Sequence, residues 1–290
     1  MIWLILSIIS STVILVLFRV FPRYKVMTFP AIVINYAMAA GFGFMLLSND
    51  YHITEQLDKP WLRGGLAVGL LFITLFYLMA FTAQKIGVGV TSIAVKMSLV
   101  IPVAWFMLTD PSDHPTLLKI LAVVLAVAGV LLSSKSKGEG FNWSYVLFPV
   151  IIFIGSGIID LVLGYFSNSN YLNSENDQIL FSSLPFTTSV TIGIVVLVIQ
   201  ALRGKKVLNL PTLIGGAILG LVNYGSIYFL VRTFDASLLD RSAIIPVNNL
   251  GVVLASSLVA LIIFSERYTR RNYLGLLLAV VSIMTLISQG

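Results

Sequence analysis

The chain has 290 residues, of which 58% are hydrophobic and 10% are charged, and its net charge is +6. Soluble globular domains are roughly 45–50% apolar and about 25% charged, so this composition excludes an ordinary soluble domain. The sequence has no cysteine, which excludes disulfides, thiolate chemistry and cysteine-ligated metals. The composition predicts a protein whose solvent is the lipid bilayer.

Ten apolar stretches follow one another along the chain, each near the roughly 20 residues that a helix needs to cross a bilayer. They cover residues 2–18, 26–47, 62–83, 88–108, 116–133, 144–166, 179–202, 211–232, 243–265 and 272–288. Lipid offers the backbone no hydrogen-bond partner, and the alternating pattern of a membrane β-barrel is absent. We therefore expect an all-α polytopic membrane protein with ten transmembrane helices. The first stretch lacks a charged leader and a small-residue cleavage site, so we expect a retained span rather than a secretory signal.

Lysine and arginine are distributed unequally over the loops between these spans. Twelve lie in the loops after the odd-numbered spans, namely Arg19, Arg23, Lys25, Lys85, Lys135, Lys137, Arg203, Lys205, Lys206, Arg267, Arg270 and Arg271. Five lie in the other loops: Lys59, Arg63, Lys119, Arg232 and Arg241. Because basic loops of membrane proteins face the cytoplasm, we expect both termini outside, in a cell membrane of the bacterial cytoplasmic kind. The positive net charge then reflects topology, and no nucleic-acid partner is needed to explain it.

The two halves of the chain carry similar segments. Three pairs align: residues 9–21 with 154–166, 64–77 with 215–228, and 122–132 with 279–289. The second pair shares a Gly-Gly-x-x-x-Gly-Leu pattern and a final tyrosine. The offsets are 145, 151 and 157, and they rise as small loop insertions would make them rise.

Five spans per half is an odd number, so the second half enters the membrane from the opposite side. We expect two inverted five-helix repeats, 1–137 and 138–290, within one integrated membrane domain. The shared glycines predict close helix approach on spans 3 and 8. They are Gly64, Gly65, Gly69, Gly215, Gly216 and Gly220.

One cation lies in the middle of an apolar span. Lys96 stands in the segment TSIAVKMSLVIPV, and the repeat places it opposite Asn248, beside Asn249. A buried charge costs about 2.5 to 3.5 kcal/mol at a span centre, so we expect either a substrate-binding role or a structural partner for Lys96. The two asparagines suit a substrate site or a bridge between helices. Pro102 should kink span 4 just beyond Lys96.

The chain resembles the EamA-type transporters of the drug/metabolite transporter superfamily over its whole length. The resemblance rests on VTSIAVKMSLVIPV in span 4 and on IPVNNLGVVLASSLVALIIFSERYTRRNYLG, which contains the turn Ser265-Glu266-Arg267. The first half departs from the pattern, because the turn after span 4 matches it loosely at Asp113. The resemblance implies secondary active movement of small solutes through a cavity lined by both halves.

Further polar residues inside the spans are candidates for the same function. Asp160 is a candidate for proton coupling, and Asn223 with Tyr224 and Asn35 with Tyr36 are candidates for substrate binding. A tyrosine near a span centre is also often a packed ring with a satisfied hydroxyl.

Together these features predict a secondary active transporter of small polar, amino acid-like metabolites that works by alternating access, with export as the direction. The alternatives are a membrane scaffold or sensor on the same fold and a lipid-carrier translocase. We expect no enzyme, cofactor or metal site, because the sequence offers no metal-ligand set, thiol or phosphate-binding loop. The expected partners are a small-molecule substrate and the bilayer, and the chain is expected to be a monomer or homodimer.

Overall fold

A computed structural model describes residues 2–109, 116–133, 144–166, 171–172, 174–235 and 241–288. Within these ranges the chain is helical and contains no β-strand, so the predicted all-α class is confirmed. The turn that contains Asp113, the basic residues Lys135 and Lys137, and the boundary between the predicted halves lie outside the described residues.

Eleven helices make up the described chain. They are α1 Ile2–Val20, α2 Thr28–Met45, α3 Pro60–Lys85, α4 Val88–Met97, α5 Val100–Thr109, α6 Leu117–Ser133, α7 Ser144–Phe166, α8 Glu175–Leu202, α9 Leu210–Asp235, α10 Arg241–Ile262 and α11 Arg270–Ile287. Nine helical stretches of the described chain are long and apolar enough to cross a membrane, with α4 and α5 counted together as one stretch. Helix α6 is apolar but shorter, at 17 residues.

Polar side chains mark two of the helix starts. Ser174 precedes α8, where its hydroxyl accepts from the Asp177 N–H at 3.1 Å and the Asp177 carboxylate accepts from the Ser174 N–H at 3.1 Å. Thr269 and Asn272 form the same reciprocal pair at the start of α11. Such pairs satisfy backbone donors that a helix start leaves without partners. They therefore fix where these two apolar helices begin.

The helices are distributed over two compact units, and several helices contribute to both. Unit 1 comprises residues 1–19, 78–158 and 225–290, and unit 2 comprises residues 20–77 and 159–224. Each unit draws on both predicted halves of the sequence.

In unit 1, helix α6 packs along α11, and α4 packs on α10. Asn272 at the start of α11 donates to the Ser133 carbonyl at the end of α6 at 2.6 Å, and Ser282 further along α11 donates to the Ala122 carbonyl at 2.7 Å. The two helices are therefore antiparallel. A Cβ atom added at Gly275 would lie 2.6 Å from the Ser133 nitrogen, so the backbones are in direct contact there.

In unit 2, helix α2 packs along α8. A Cβ atom at Gly193 would meet Val33, and one at Gly43 would meet Ser183, so these helices are antiparallel as well. A buried apolar cluster of Trp61, Leu62, Leu172, Leu180, Phe181 and Leu184 closes the end where α8 begins.

Candidate functional site

The helix that carries Lys96 is broken directly after it. Helix α4 ends at Met97, and α5 begins at Val100. Pro102 has no N–H to donate to the Ser98 carbonyl, which instead accepts from the Ile101 N–H at 2.9 Å. The break lies where the proline predicts a kink. Lys96 is therefore in the last turn of a short helix, where its half-buried side chain lies close to a break in the backbone.

Lys96 lies at the depth of the two asparagines of α10. The start of α4 meets the end of α10, because a Cβ atom at Gly89 would lie 3.6 Å from the Ser257 hydroxyl. These packed helices are thus antiparallel. Lys96 lies seven residues after Gly89 on α4, and Leu250 lies seven residues before Ser257 on α10. Lys96 therefore comes level with Leu250, next to Asn249 and Asn248 along the helix.

Two buried polar atoms in this part of unit 1 make no hydrogen bond within the described chain. Asn248 is 3% exposed, and its Oδ1 atom has no partner. Ser92, one turn before Lys96 on the same side of α4, is fully buried, and its hydroxyl oxygen also has no partner. Most buried polar groups in folded proteins are paired, and unpaired ones call for an explanation such as a ligand or bound water. An ammonium, a hydroxyl and a carboxamide oxygen together suit a ligand with both acceptor and donor groups.

The candidates Asn35 and Asn223 are paired within unit 2. The Asn223 amide donates to the Asn35 Oδ1 atom at 3.1 Å, linking α9 to α2. The Asn35 Nδ2 atom is fully buried and makes no hydrogen bond within the described residues. One bond of this pair therefore bridges two helices, and within the described residues the Asn35 Nδ2 donor is left for a further acceptor.

The tyrosines beside these asparagines are held by aromatic rings. Tyr36 is fully buried, and its hydroxyl donates to the Phe72 carbonyl at 2.8 Å. Its ring contacts the rings of Phe72, Phe76 and Phe186, with centroids 5.4 to 6.4 Å apart. These are the contacts of a packed ring with a satisfied hydroxyl. Tyr224 is half-buried and packs on Phe42 at a centroid distance of 5.0 Å.

Asp160 lies on the exposed side of α7 in unit 2. The described chain contains no group of three or more His, Asp or Glu side chains placed to hold a metal ion.

Five of the six predicted glycines lie at close contacts with another helix of unit 2, and Gly215 lies against the loop before α2. A Cβ atom at Gly69 on α3 would lie 2.7 Å from the Pro185 carbonyl oxygen of α8, and the Ser189 hydroxyl donates to the Gly69 carbonyl at 2.7 Å. A Cβ atom at Gly216 on α9 would lie 2.8 Å from the Ala31 carbonyl oxygen of α2. The remaining four are Gly64 against Phe166, Gly65 against Leu184, Gly215 against Val26, and Gly220 against Met38.

One contact of unit 1 was not predicted from the sequence, although Glu266 belongs to the turn Ser265-Glu266-Arg267 quoted above. Glu266, in the loop between α10 and α11, accepts a hydrogen bond from the Val88 N–H at 2.9 Å at the start of α4. Gly87, at φ +147°, leaves room for this carboxylate, since a Cβ atom there would lie 2.6 Å from its Oε2 atom. A carboxylate at a helix N-terminus satisfies free N–H groups and suits the helix dipole. The sequence signal was the Gly-x-Gly at residues 87–89, which spans the start of α4.

Arg19 links this cap to the end of α3. Its guanidinium donates to the carbonyls of Ala83 and Gln84 and lies 6.0 Å from the centre of the Phe264 ring. Burial raises the pKa of the Glu266 carboxyl above its ordinary value, while the hydrogen bond from Val88, the positive charge of Arg19 and the hydrogen bond from Gly89 lower it. The end of α3, the start of α4 and the α10–α11 loop are therefore joined through two charged side chains.

Tyr268 completes the contact between this loop and α4. A Cβ atom at Gly89 would overlap the Tyr268 hydroxyl, so the absence of a side chain there admits the tyrosine. Burial raises the pKa of Tyr268 to about 12, so the phenol is neutral near neutral pH. The loop thus contacts α4 with one carboxyl group and one neutral phenol.

Comparison with known proteins supports the fold without assigning a family. No protein-family model matches the chain. An uncharacterized protein of Haemophilus influenzae is 26% identical over 296 residues, which cover 98% of this chain and 96% of the relative. A protein of known crystal structure matches with a TM-score of 0.54 at 12% identity, covering 98% of this chain and 99% of that chain. The fold is therefore shared along nearly the full length of the chain.

Proposed function

We propose that the chain is a secondary active transporter of the drug/metabolite transporter superfamily that exports small polar, amino acid-like metabolites across a bacterial cytoplasmic membrane. The observation that carries this proposal is the Asn248 Oδ1 atom, which is buried on α10 and has no hydrogen-bond partner in the part of the chain that the structure describes. We infer that Lys96 and the Asn248 Oδ1 atom, on helices that pack together, belong to one polar layer of unit 1.

The chemistry of this layer favours a ligand with two kinds of polar group. The Lys96 ammonium provides N–H donors and a positive charge, which suit a carboxylate or phosphate oxygen. The Asn248 Oδ1 atom requires a donor, such as the N–H or O–H of a solute. An amino acid-like metabolite offers both groups.

The helix contacts of unit 2 support two inverted five-helix repeats. Helix α3 contacts α8 at Gly65 with Leu184 and at Gly69 with Thr188, so the two helices are parallel. Helix α9 contacts α2 at Gly216 with Ile34 and at Gly220 with Met38, and these are also parallel. In a ten-span repeat these are contacts of span 3 with span 7 and of span 8 with span 2, which the repeat makes equivalent. Inverted repeats are common among transporters that work by alternating access.

Asp160 is proposed as the proton-coupling residue. An ionisable side chain within a membrane span is costly to retain and commonly marks an ion pathway.

A thermal-shift screen of the purified protein against a metabolite library tests the proposal. Since binding to the native state stabilises it by about 2.7 kcal/mol at a ligand concentration of 100 Kd, a true substrate should raise the melting temperature by several degrees. Asn248→Leu should abolish that rise and leave basal stability intact, because the change removes a buried acceptor that has no partner. Ser282→Ala is the matched control. It removes a helix-bridging hydrogen bond on α11, so it should lower basal stability and keep the ligand-induced rise.

Two results would contradict the proposal. If no small polar solute stabilises the protein, a scaffold or sensor is favoured instead. If Asn248→Leu keeps the full ligand-induced rise, the polar layer of unit 1 is not the binding site.

A further inference from the structure

Five basic side chains are exposed at one end of unit 2, in the loop between α1 and α2 and in the loop between α8 and α9. They are Arg23, Lys25, Arg203, Lys205 and Lys206, and we call them the basic end. The antiparallel packing of α2 on α8 brings the start of α2 and the end of α8 to the same end of the unit.

Hydrogen bonds hold the two loops together. The Asn209 amide donates to the Lys25 carbonyl at 3.1 Å, and the Thr212 hydroxyl accepts from the Met27 N–H at 2.9 Å. Lys25 adopts a left-handed conformation with φ 55°, and its N–H donates to the Pro22 carbonyl at 3.2 Å. Gly204, at φ +72°, turns the second loop. The basic end is therefore a surface of defined backbone geometry formed by two distant segments of chain.

Opposite charges are segregated within the unit. Residues 20–49 and 178–224 contain no aspartate or glutamate, so no acidic residue of these segments offsets the basic end. Acidic residues lie at the other end of unit 2. The loop between α2 and α3 contains Asp50, Glu55 and Asp58, and the start of α8 contains Glu175 and Asp177. The basic end therefore carries a positive charge that an anion from outside these segments can offset.

Exposed apolar side chains lie directly beside these charges. Leu202 is 83% exposed at the end of α8, and Leu210 is 68% exposed at the start of α9. Exposed aliphatic side chains continue along both helices: Val195, Val198 and Ile199 on α8, and Leu213 and Ile214 on α9. Tyr24 is exposed beside Arg23 and Lys25 and offers an amphipathic ring of the kind found at membrane interfaces. A ligand of this surface therefore needs an anionic group next to a long apolar part.

We propose that the basic end binds the headgroup of an anionic phospholipid, whose acyl chains lie along the exposed faces of α8 and α9. Clusters of Lys and Arg at the cytoplasmic side of membrane helices attract anionic lipids. A soluble anion would use the charges and leave the aliphatic faces uncovered, and a zwitterionic lipid would have no net charge to offset the five cations. The assignment concerns a lipid that binds the protein, independently of the solute that it transports.

Lipid titration of the purified protein in neutral detergent tests this proposal, with bound lipid counted by native mass spectrometry. Phosphatidylglycerol should bind more tightly than phosphatidylcholine with the same acyl chains, and added salt should weaken only the former. Lys205→Gln/Lys206→Gln should weaken phosphatidylglycerol binding about 30-fold, since each basic side chain near an anionic lipid surface contributes about fivefold. The control Lys59→Gln/Arg63→Gln also removes two positive charges, but at the other end of unit 2, so it should leave phosphatidylglycerol binding unchanged.

Each contrary result overturns the proposal. Two results with the unaltered protein would exclude recognition of the anionic headgroup. One is equal binding of the two lipids, and the other is an affinity for phosphatidylglycerol that does not change with salt. Unchanged binding by the double variant would exclude the basic end as the site. Thermal stabilisation by inorganic phosphate equal to that by phosphatidylglycerol would show that the surface binds a free anion rather than a lipid.

Discussion

The Glu266 Oε1 atom accepts a hydrogen bond from the Val88 N–H at 2.9 Å, across 178 positions of the sequence. This bond attaches the loop between α10 and α11 to the first turn of α4, the helix that carries Lys96. Because α4 has only 10 residues, its start and its last turn lie within about 15 Å of each other at a rise of about 1.5 Å per residue. Glu266 therefore positions the helix of the candidate site from its far end.

Removing the cap should destabilise unit 1. We expect Glu266→Ala to lower the free energy of unfolding by about 1 to 2 kcal/mol, because the Val88 donor loses its partner at a buried helix start. The neighbouring Arg267 is exposed, so Arg267→Ala is the control and should change stability by no more than about 0.5 kcal/mol. The measurement is thermal unfolding of both variants in the same detergent. Equal melting temperatures for the two would contradict a capping role.

The raised pKa of the Glu266 carboxyl gives stability a dependence on pH. The folded protein binds this proton more tightly than the unfolded chain, so the contribution of Glu266 falls as the pH rises from the ordinary value of a carboxyl group through the raised folded value. Glu266→Gln cannot titrate. The melting temperature of the unaltered protein, relative to that of Glu266→Gln, should therefore decrease as the pH rises above the ordinary pKa of a glutamate carboxyl. A difference that stays constant or increases over this range would contradict the assignment.

The glycine contacts of unit 2 should not tolerate large side chains. Gly69→Leu and Gly220→Leu should each destabilise the protein by about 1 to 3 kcal/mol or more, because the added atoms meet α8 and α2 at close range. Gly41 is a matched control on α2, since a Cβ atom there has nothing within 4 Å. We expect folded yield to drop for the first two variants and to stay near normal for Gly41→Leu. Normal yield of all three would show that the close contacts are not required.

The predicted orientation can be tested with fused reporters. Twelve of the 18 Lys and Arg residues lie in the loops after odd-numbered spans, so cytoplasmic reporters fused after Lys137 and Lys206 should be active. A reporter fused at Gly290 should behave as extracytoplasmic. A cytoplasmic Gly290 would reverse the orientation and leave the helix assignments unchanged.

Much of the fold could be predicted from the sequence because a membrane span imposes one length and one composition. Nine of the ten predicted stretches coincide with helical stretches suited to cross a membrane. The break after Lys96 was predicted from Pro102, since the missing N–H leaves one carbonyl without its usual partner. The Gly-Gly-x-x-x-Gly pattern also predicts close helix approach on α3 and α9, because a residue without a side chain lets two helix backbones come near each other.

The site was less predictable because it depends on contacts between distant segments. Nothing in the sequence shows that the Glu266 carboxylate lies at the start of α4. The turn Ser265-Glu266-Arg267 indicates a family resemblance, but it does not predict a helix cap. The packing of Tyr36 against three phenylalanines is equally invisible, since the rings come from α3 and α8. Asn248 was predicted from its alignment with Lys96, but its unpaired oxygen is a property of the packed unit.

Transport by reconstituted protein tests the central proposal most directly. A solute identified by thermal shift would be loaded into proteoliposomes that contain the unaltered protein, Lys96→Met, Asp160→Asn or the double variant, at matched folded yield. We predict that the unaltered protein moves the solute, that Lys96→Met does not, and that the double variant stays inactive because Lys96 meets the substrate. If Lys96 instead served only to balance the charge of Asp160, the charge-neutral double variant should recover transport, and that result would give Lys96 a structural role. Absence of transport by the unaltered protein would contradict the proposed function itself.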